Sequence, residues 1–222
     1  MPSPPLPNAP EPTLWLVRHG ESTWNALGLI QGHSPEPLLT RQGWAQAKQA
    51  AGQLAGRPVA AVFSSDLRRA LDSAGPISRA VDRELVVDVR LRERGFGVLE
   101  GLSSDRLTVP LSGIVEGRVA DADAAPEGGE SVRQLVGRVA RFLDELDPGR
   151  GDVVLVVHGG VVRAALAHLD GIVPDDMPWT PVHNGEVFSR PLARRRDGGA
   201  AAVGSLSSSL SAAQPMPLEV RS

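Results

Sequence analysis

Two segments far apart in the chain place a histidine between an apolar run and a glycine. The first is Arg18-His19-Gly20-Glu21-Ser22, directly after Leu14-Trp15-Leu16-Val17. The second is His158-Gly159-Gly160, directly after Val153-Val154-Leu155-Val156-Val157. An imidazole can be a nucleophile, a base or a metal ligand, but the guanidinium of Arg18 argues for an anion and against a cation. Arg-His-Gly alone is a weak tripeptide, and a histidine near a strand end is commonly a hydrogen-bonded structural residue. A second copy of the arrangement points instead to shared phosphate chemistry. Two further segments supply what that chemistry needs. In Ser65-Asp66-Leu67-Arg68-Arg69-Ala70, one of the two arginines can point back to the strand end from the first helical turn, while the other, about 100° round, meets solvent or an acidic neighbour. In Leu91-Arg92-Glu93-Arg94-Gly95-Phe96-Gly97, Glu93 lies among arginines in a glycine-punctuated loop. Alone it reads as a solvated carboxylate in a local ion pair; beside a phosphate it is a candidate to protonate a leaving oxygen.

The elements that must position these residues are legible from pattern. Apolar runs at 14–17, 59–63, 85–89 and 153–157 read as strands, the last β-branched as in a parallel strand buried on both faces. A short strand is expected at 186–188, after the turn signal Asn184-Gly185. Helices are expected over 40–56, 66–81, 131–146 and 160–169. The third has Val132, Leu135, Val136, Val139, Phe142, Leu143 and Leu146 on one face, with Ser131 and Gln134 placed for a capping box. Strands alternating with helices imply an α/β fold, a three-layer αβα sandwich with a largely parallel central sheet. In such sheets ligands bind beyond the carboxyl ends of the strands, where His19 and His158 fall. Gly20 is expected to let the backbone turn sharply and a ligand come close. The helix that follows His158 offers free N–H groups to an anion.

The 222 residues suffice for one α/β domain with a substantial core. A formal charge of −3 and a pI near 6.0 give no reason to expect nucleic acid or an anionic membrane as partner. There is no cysteine, hence no disulfide framework and no thiolate zinc site. No stretch reaches the roughly 18 apolar residues of a membrane span, and the N-terminus lacks a signal-peptide pattern, so a cytoplasmic protein is expected. Residues 1–12 hold six prolines and read as an extended arm. Residues 193–222, rich in Gly, Ala and Ser, read as a disordered tail, leaving 13–192 as the domain.

With these segments in order, the chain resembles the histidine phosphatase superfamily, whose founding branch is the cofactor-dependent phosphoglycerate mutases. The residues carrying the resemblance are 18–25 (Arg-His-Gly-Glu-Ser-Thr-Trp-Asn), Gln31-Gly32, Pro37-Leu38, Thr40-Arg41-Gln42-Gly43 and Ser65 to Ala70. They continue with Leu91 to Gly97, Leu99-Glu100-Gly101, Gly129-Glu130-Ser131 and His158-Gly159-Gly160. The match runs from Thr13 to Leu192. Each piece is modest, but the ordered set is specific. The resemblance implies a phosphoglycerate mutase-like fold, with His19 as the nucleophile that becomes phosphorylated and Glu93 as proton donor. It implies that Arg18, Asn25, Arg69 and His158 grip the phosphoryl oxygens, with Thr23, Gln31, Gly32 and Gly159 among the substrate-binding residues. Ser73 stands where a threonine is usual, and Glu36 with an extra residue occupies the loop before Pro37. These departures bear on fine substrate contacts.

The expected activity is metal-independent hydrolysis of a small phosphorylated metabolite through a phosphohistidine, with no cofactor. The cage expected is two guanidiniums, a protonated His158 and the amide of Asn25. The mutase alternative resembles the chain only if a long insertion follows Leu99-Glu100-Gly101, and 101–129 is short. A non-catalytic binder of a phospho-ligand is the alternative of a different class. A homodimer and the substrate's identity stay open. Of the other histidines, His33 lies in the loop near the mouth, His168 ends a helix and can meet its dipole, and His183 precedes a turn.

Overall fold

The computed structural model describes residues 11–107, 113–147 and 151–192. Most of the expected arm and all of the expected tail lie outside the described residues. The order of elements is β1 (Thr13–Arg18), α1 (Thr23–Ala26), α2 (Arg41–Leu54), β2 (Val59–Ser64), α3 (Arg68–Val81), β3 (Leu85–Val87), β4 (Ile114–Val115), β5 (Arg118–Val119), α4 (Val132–Glu145), β6 (Asp152–Val157), α5 (Gly159–Leu169) and β7 (Val187–Pro191). The five-stranded sheet runs β3-β2-β6-β1-β7. Its first four strands are parallel, and β7 is antiparallel to β1.

Side-chain alternation along the central strands builds two cores. Leu14, Leu16, Val153, Leu155 and Val157 face α4 and α5, joining Val132, Leu135, Val139, Val161 and Val162. Val17, Val62, Val154 and Val156 face the other way, onto Ala50, Leu54, Ala74 and Ile77 of α2 and α3. The result is the three-layer αβα sandwich with a largely parallel sheet that the periodicity implied. Every one of Val153 to Val157 is 0% exposed, as a strand covered on both faces must be. Helix α4 starts with the expected capping box, Ser131 and Gln134 each bonding the other's backbone. Helix α2 begins one residue after its cap, Thr40, whose side chain accepts from Gly43 N–H.

Because β6 lies between β1 and β2, three carboxyl ends meet at the centre of one sheet edge. Arg18 pairs with Val157 and Ser64 with Val156. The register therefore brings His19 level with His158, with Ser65 one residue behind on the other side of β6.

Candidate active site

The two histidines leave adjacent strands at the same level. His19 N–H donates to the Val157 carbonyl at 2.8 Å, and the imidazole rings meet edge to face with centroids 5.1 Å apart. Both side chains are buried. His19 Nδ1 lies 2.7 Å from the Gly20 carbonyl. Only a protonated ring nitrogen can bond a carbonyl oxygen, so Nδ1 carries the hydrogen and Nε2 keeps the lone pair. Burial, then Arg69 and Arg18, hold its pKa well below the ordinary 6.5, and the Gly20 carbonyl opposes them. His19 is therefore a neutral imidazole with a free nitrogen lone pair.

His158 is also pushed well below 6.5, by burial first and then by Arg69, His19, Arg18 and Arg138. The expectation of a protonated second imidazole is not met: the loss of water and the cations around it keep it neutral. Its Nε2 lies 2.7 Å from the Ser65 hydroxyl. With that hydroxyl donating, the ring proton sits on Nδ1, which is buried and has no hydrogen-bond partner among the described residues.

This pair fixes a pH dependence of stability. As pH falls below 6.5, the unfolded chain takes up protons that neither buried imidazole accepts, so folding weakens with acid from that point downward. The two together should contribute a slope of up to about 2.7 kcal/mol per pH unit, twice the roughly 1.4 of a single site. Denaturant midpoints between pH 7 and pH 5 check this. His158→Asn should flatten the profile by about half, and a wild-type profile level across that window contradicts the assignment.

The arginines close the site. Arg69 is 1% exposed; its Nη1 and Nη2 donate to the carbonyls of Ser34 (3.0 Å) and Gly32 (2.8 Å). Arg68 turns outward and pairs with Asp72, so Arg69 is the one that points back. Arg18 donates from Nη1 to the Val182 carbonyl at 2.5 Å. In both, Nε is buried without a partner among the described residues. Burial lowers the pKa of both; Arg69 falls to about 10 and Glu93 and Glu100 pull it back, while Glu93 and Glu186 do so for Arg18. Both stay charged at neutral pH.

Glu93 approaches from the loop after β3. Its Oε1 accepts from Arg94 N–H at 2.8 Å, and both oxygens lie 3.1 Å from Gly160 N–H at the start of α5. A Cβ on Gly160 would stand 2.2 Å from Glu93 Oε1, so only glycine admits the carboxylate. Gly20 has a different reason from the one expected. A Cβ there would stand 2.2 Å from the Gly43 carbonyl, and its φ is not positive; the residue is small because α2 packs against it.

The remaining expected residues are placed unevenly. Asn25 presents Oδ1 to Ser22 N–H (3.1 Å) and Asn184 Nδ2 (3.1 Å), so its amide nitrogen is turned away from both. Gln31 accepts from the Ser22 hydroxyl at 2.7 Å. Gly32 has φ +46°, and a Cβ there would meet Glu100 Oε1 at 2.0 Å. Gly159 begins α5, with Arg163 Nη1 and Arg18 Nε within 3.1 and 3.7 Å of its Cβ position. Thr23 is exposed on the first turn of α1, where its backbone N–H donates to the Leu38 carbonyl. His33, expected near the mouth, lines a surface cleft and anchors the loop that carries Glu93: its Nε2 lies 2.8 Å from the Glu93 carbonyl. His168 meets Asp144 at 2.9 Å rather than only a helix end.

The sequence assigns no role to Ser65 or Arg163 and marks Ser73 only as a departure from the usual threonine. In the structure Ser65 holds His158, Ser73 accepts from Gly20 N–H at 3.0 Å, and Arg163 stacks its guanidinium 4.6 Å from the Trp179 ring centre beside the site. Ser65 directly precedes Asp66-Leu67-Arg68-Arg69, and that strand-end position is the signal that could have found it. Ser73 follows Arg69 by four residues, the spacing that returns a side chain to the same helix face; Arg163 stands in the same relation to Gly159, the first residue of α5. A surface cleft of about 680 Å³ is lined by His33, Glu100, Glu130, Arg138 and Arg141 among others, and not by His19, Arg18, Arg69 or His158.

A largely parallel α/β sheet whose strand ends bring together two histidines, two buried arginines and a carboxylate is the arrangement of the histidine phosphatase fold. The sequence profile of the histidine phosphatase superfamily (branch 1) matches residues 14–198, and the chain belongs to that family. Over 162 residues it is 37% identical to a probable phosphoglycerate mutase GpmB from Escherichia coli O1:K1 / APEC, covering 69% of this chain and 72% of the relative. The mycobacterial glucosyl-3-phosphoglycerate phosphatase Rv2419c, solved in complex with VO3, superposes with a TM-score of 0.71 at 30% identity, covering 80% of this chain and 90% of that one. The protein TTHB049 from Thermus thermophilus superposes with a TM-score of 0.63 at 35% identity, covering 82% and 95%. Among the described residues no helix is long and apolar enough to cross a membrane.

Proposed function

We propose that this protein is a phosphomonoesterase that hydrolyses a small-molecule phosphate ester through a phosphohistidine at His19. The observation that carries this reading is a set of three buried donors without partners among the described residues, Arg18 Nε, Arg69 Nε and His158 Nδ1, around a neutral, buried His19. Buried donors left unpaired are costly unless an anion meets them. A phosphoryl group spreads its charge over three equatorial oxygens, so such a cage favours its transfer electrostatically.

In the first step the Nε2 lone pair of His19 attacks phosphorus and the bond to the leaving oxygen breaks. Glu93, protonated, gives its proton to that oxygen. The Gly20 carbonyl, 2.7 Å from Nδ1, supports the positive charge that the ring gains. In the second step Glu93 takes a proton from water, the water oxygen attacks phosphorus, and the N–P bond returns its electrons to His19. Asn25 and Gln31 line the approach. Guanidiniums and N–H donors supply the positive charge in this scheme, so EDTA should leave activity unchanged. Loss on chelation that a divalent metal restores contradicts the class.

The acid role of Glu93 has its own signature. An alkoxide leaves poorly without a proton, so Glu93→Gln should slow phosphoryl transfer from a sugar phosphate by about 10²–10⁴-fold, the usual scale of general acid catalysis. A nitrophenolate leaves readily, so transfer from p-nitrophenyl phosphate should suffer far less. Rapid quench isolates this first step. An equal loss on both substrates contradicts the assignment.

A mutase is the second reading, favoured by the Escherichia coli relative's name. Hydrolysis is preferred because 101–129 is too short to enclose a bisphosphate and exclude water from a phosphoenzyme. Assay with 3-phosphoglycerate and catalytic 2,3-bisphosphoglycerate separates them: inorganic phosphate or no reaction supports a phosphatase, and rapid 2-phosphoglycerate formation supports a mutase. Activity against a panel of phosphorylated metabolites identifies the substrate. A phospho-ligand binder would need neither a free His19 lone pair nor a carboxylate held at the start of α5, two residues after His158.

A further inference from the structure

One guanidinium outside the phosphate cage spends every donor it has on the loop that carries Glu93 and on the carboxylate that braces it. Arg138, on α4, is 13% exposed, and its partner Glu130 is 17% exposed. Its Nε donates to Glu130 Oε1 at 2.7 Å and one Nη2 hydrogen to Glu130 Oε2 at 2.8 Å. The other three hydrogens go to main-chain carbonyls: Nη1 to Arg90 and to Arg92, and Nη2 to Glu93, each at 2.7 Å. Five donors in a fixed fork are all satisfied, which a lysine at this place could not reproduce.

Glu130 is knitted to the same loop through its own backbone. Its N–H donates to the Gly95 carbonyl at 2.8 Å, and its Oε2 accepts from Gly95 N–H at 3.3 Å. Its carbonyl accepts from Arg94 Nε at 2.6 Å. The Glu93 carbonyl receives a second donor, His33 Nε2, at 2.8 Å, so both its lone pairs are used. Glu93 is thus gripped at its main chain by Arg138 and His33, and at its carboxylate by Arg94 and Gly160 N–H groups.

We propose that the Arg138–Glu130 pair is a positioning element for the proton donor, acting on the reaction chiefly through the placement of Glu93; the charge of Arg138 is the smallest of those that bear on His158. The inference rests on the reading of Glu93 as general acid and adds the residues that set its reach. Neither member of the pair is among the groups that meet the phosphoryl oxygens. A displacement of about 1 Å in a reacting group costs up to about 10²-fold, whereas a cage that stays intact keeps its hold on the phosphate.

Arg138→Met and Glu130→Gln test this, with Glu93→Gln and the double variant Glu93→Gln/Arg138→Met. Arg138→Met should slow the phosphorylation step with a sugar phosphate by about 10- to 100-fold and leave p-nitrophenyl phosphate within about threefold of wild type. Glu130→Gln, which keeps the size and one accepting oxygen but turns the other into a donor, should show a smaller loss of the same selectivity. In the Glu93→Gln background Arg138→Met should have little further effect, because residues that act through one group are non-additive. A merely structural pair would move both substrates together and give additive losses. If Arg138→Met does not fold, Glu130→Gln carries the comparison alone. Selective loss in Glu93→Gln with unselective or additive loss in the clamp variants overturns the clamp and spares the acid. Unselective loss in Glu93→Gln itself overturns both.

Discussion

His19→Ala is expected to abolish turnover while the protein stays folded. Its loss should be on the order of 10⁶ in kcat, the scale seen when a nucleophile is removed from an enzyme that works through it. The side chain sits at the carboxyl end of β1 between polar partners, not in either apolar core. Removing it deletes the bond to the Gly20 carbonyl and the ring contact with His158, and leaves the β1–β6 ladder untouched. It also removes a buried imidazole that disfavours its own charge, so the loss of stability with acid should flatten by about half, as for His158→Asn, while catalysis disappears. Retention of more than a few per cent of activity would show that His19 does not carry the phosphoryl group. A thermal melt of the variant alongside the kinetics separates loss of chemistry from loss of fold.

Arg69→Lys should lower kcat/KM by about 10³–10⁵-fold, the range found for arginines that stabilise phosphoryl transfer. A lysine keeps the charge, but it lacks the fork that holds the Gly32 and Ser34 carbonyls while directing Nε inward. If bulk positive charge were the whole contribution, lysine would suffice. Arg68→Lys is the matched control, since Arg68 is exposed and pairs with Asp72, and it should stay within about twofold of wild type, as surface pairs contribute little. Equal losses at 68 and 69 would reassign the arginine that grips the phosphate.

The main elements are legible in the sequence because each carries a clean period. The β-branched run 153–157 and the apolar stripe of α4 leave little choice, and Ser131 with Gln134 marks a helix start. The short pieces are not legible. β4 and β5 are two residues each, below the length at which alternation can be counted, and α1 is a four-residue turn capped by Ser22 and Asn25. Sheet order is invisible for another reason: β6 enters between β1 and β2 from far along the chain, and no local pattern encodes that insertion. The likeness of two motifs suggests that His158 adjoins His19, and the register of β1 with β6 explains it. The neutrality of His158 has no local signature, because it comes from burial and from cations on other elements. The need for glycine at position 20 is equally hidden, since the close neighbour is Gly43, on a helix that follows it. Arg138 lies on the polar side of an amphipathic helix, where pattern alone says solvent; only the fold brings the carbonyls of 90, 92 and 93 to it.

The phosphoenzyme itself tests the central claim most directly. The wild-type protein is mixed with p-nitrophenyl phosphate labelled with ³²P, quenched in alkaline detergent within milliseconds to seconds, and digested for peptide mapping. The label should appear on the peptide containing His19, survive base and be lost in mild acid, as an N–P bond requires; His19→Ala should carry none. Label on an acid-stable site, on another residue, or equally on wild type and His19→Ala would contradict a phosphohistidine mechanism for this chain.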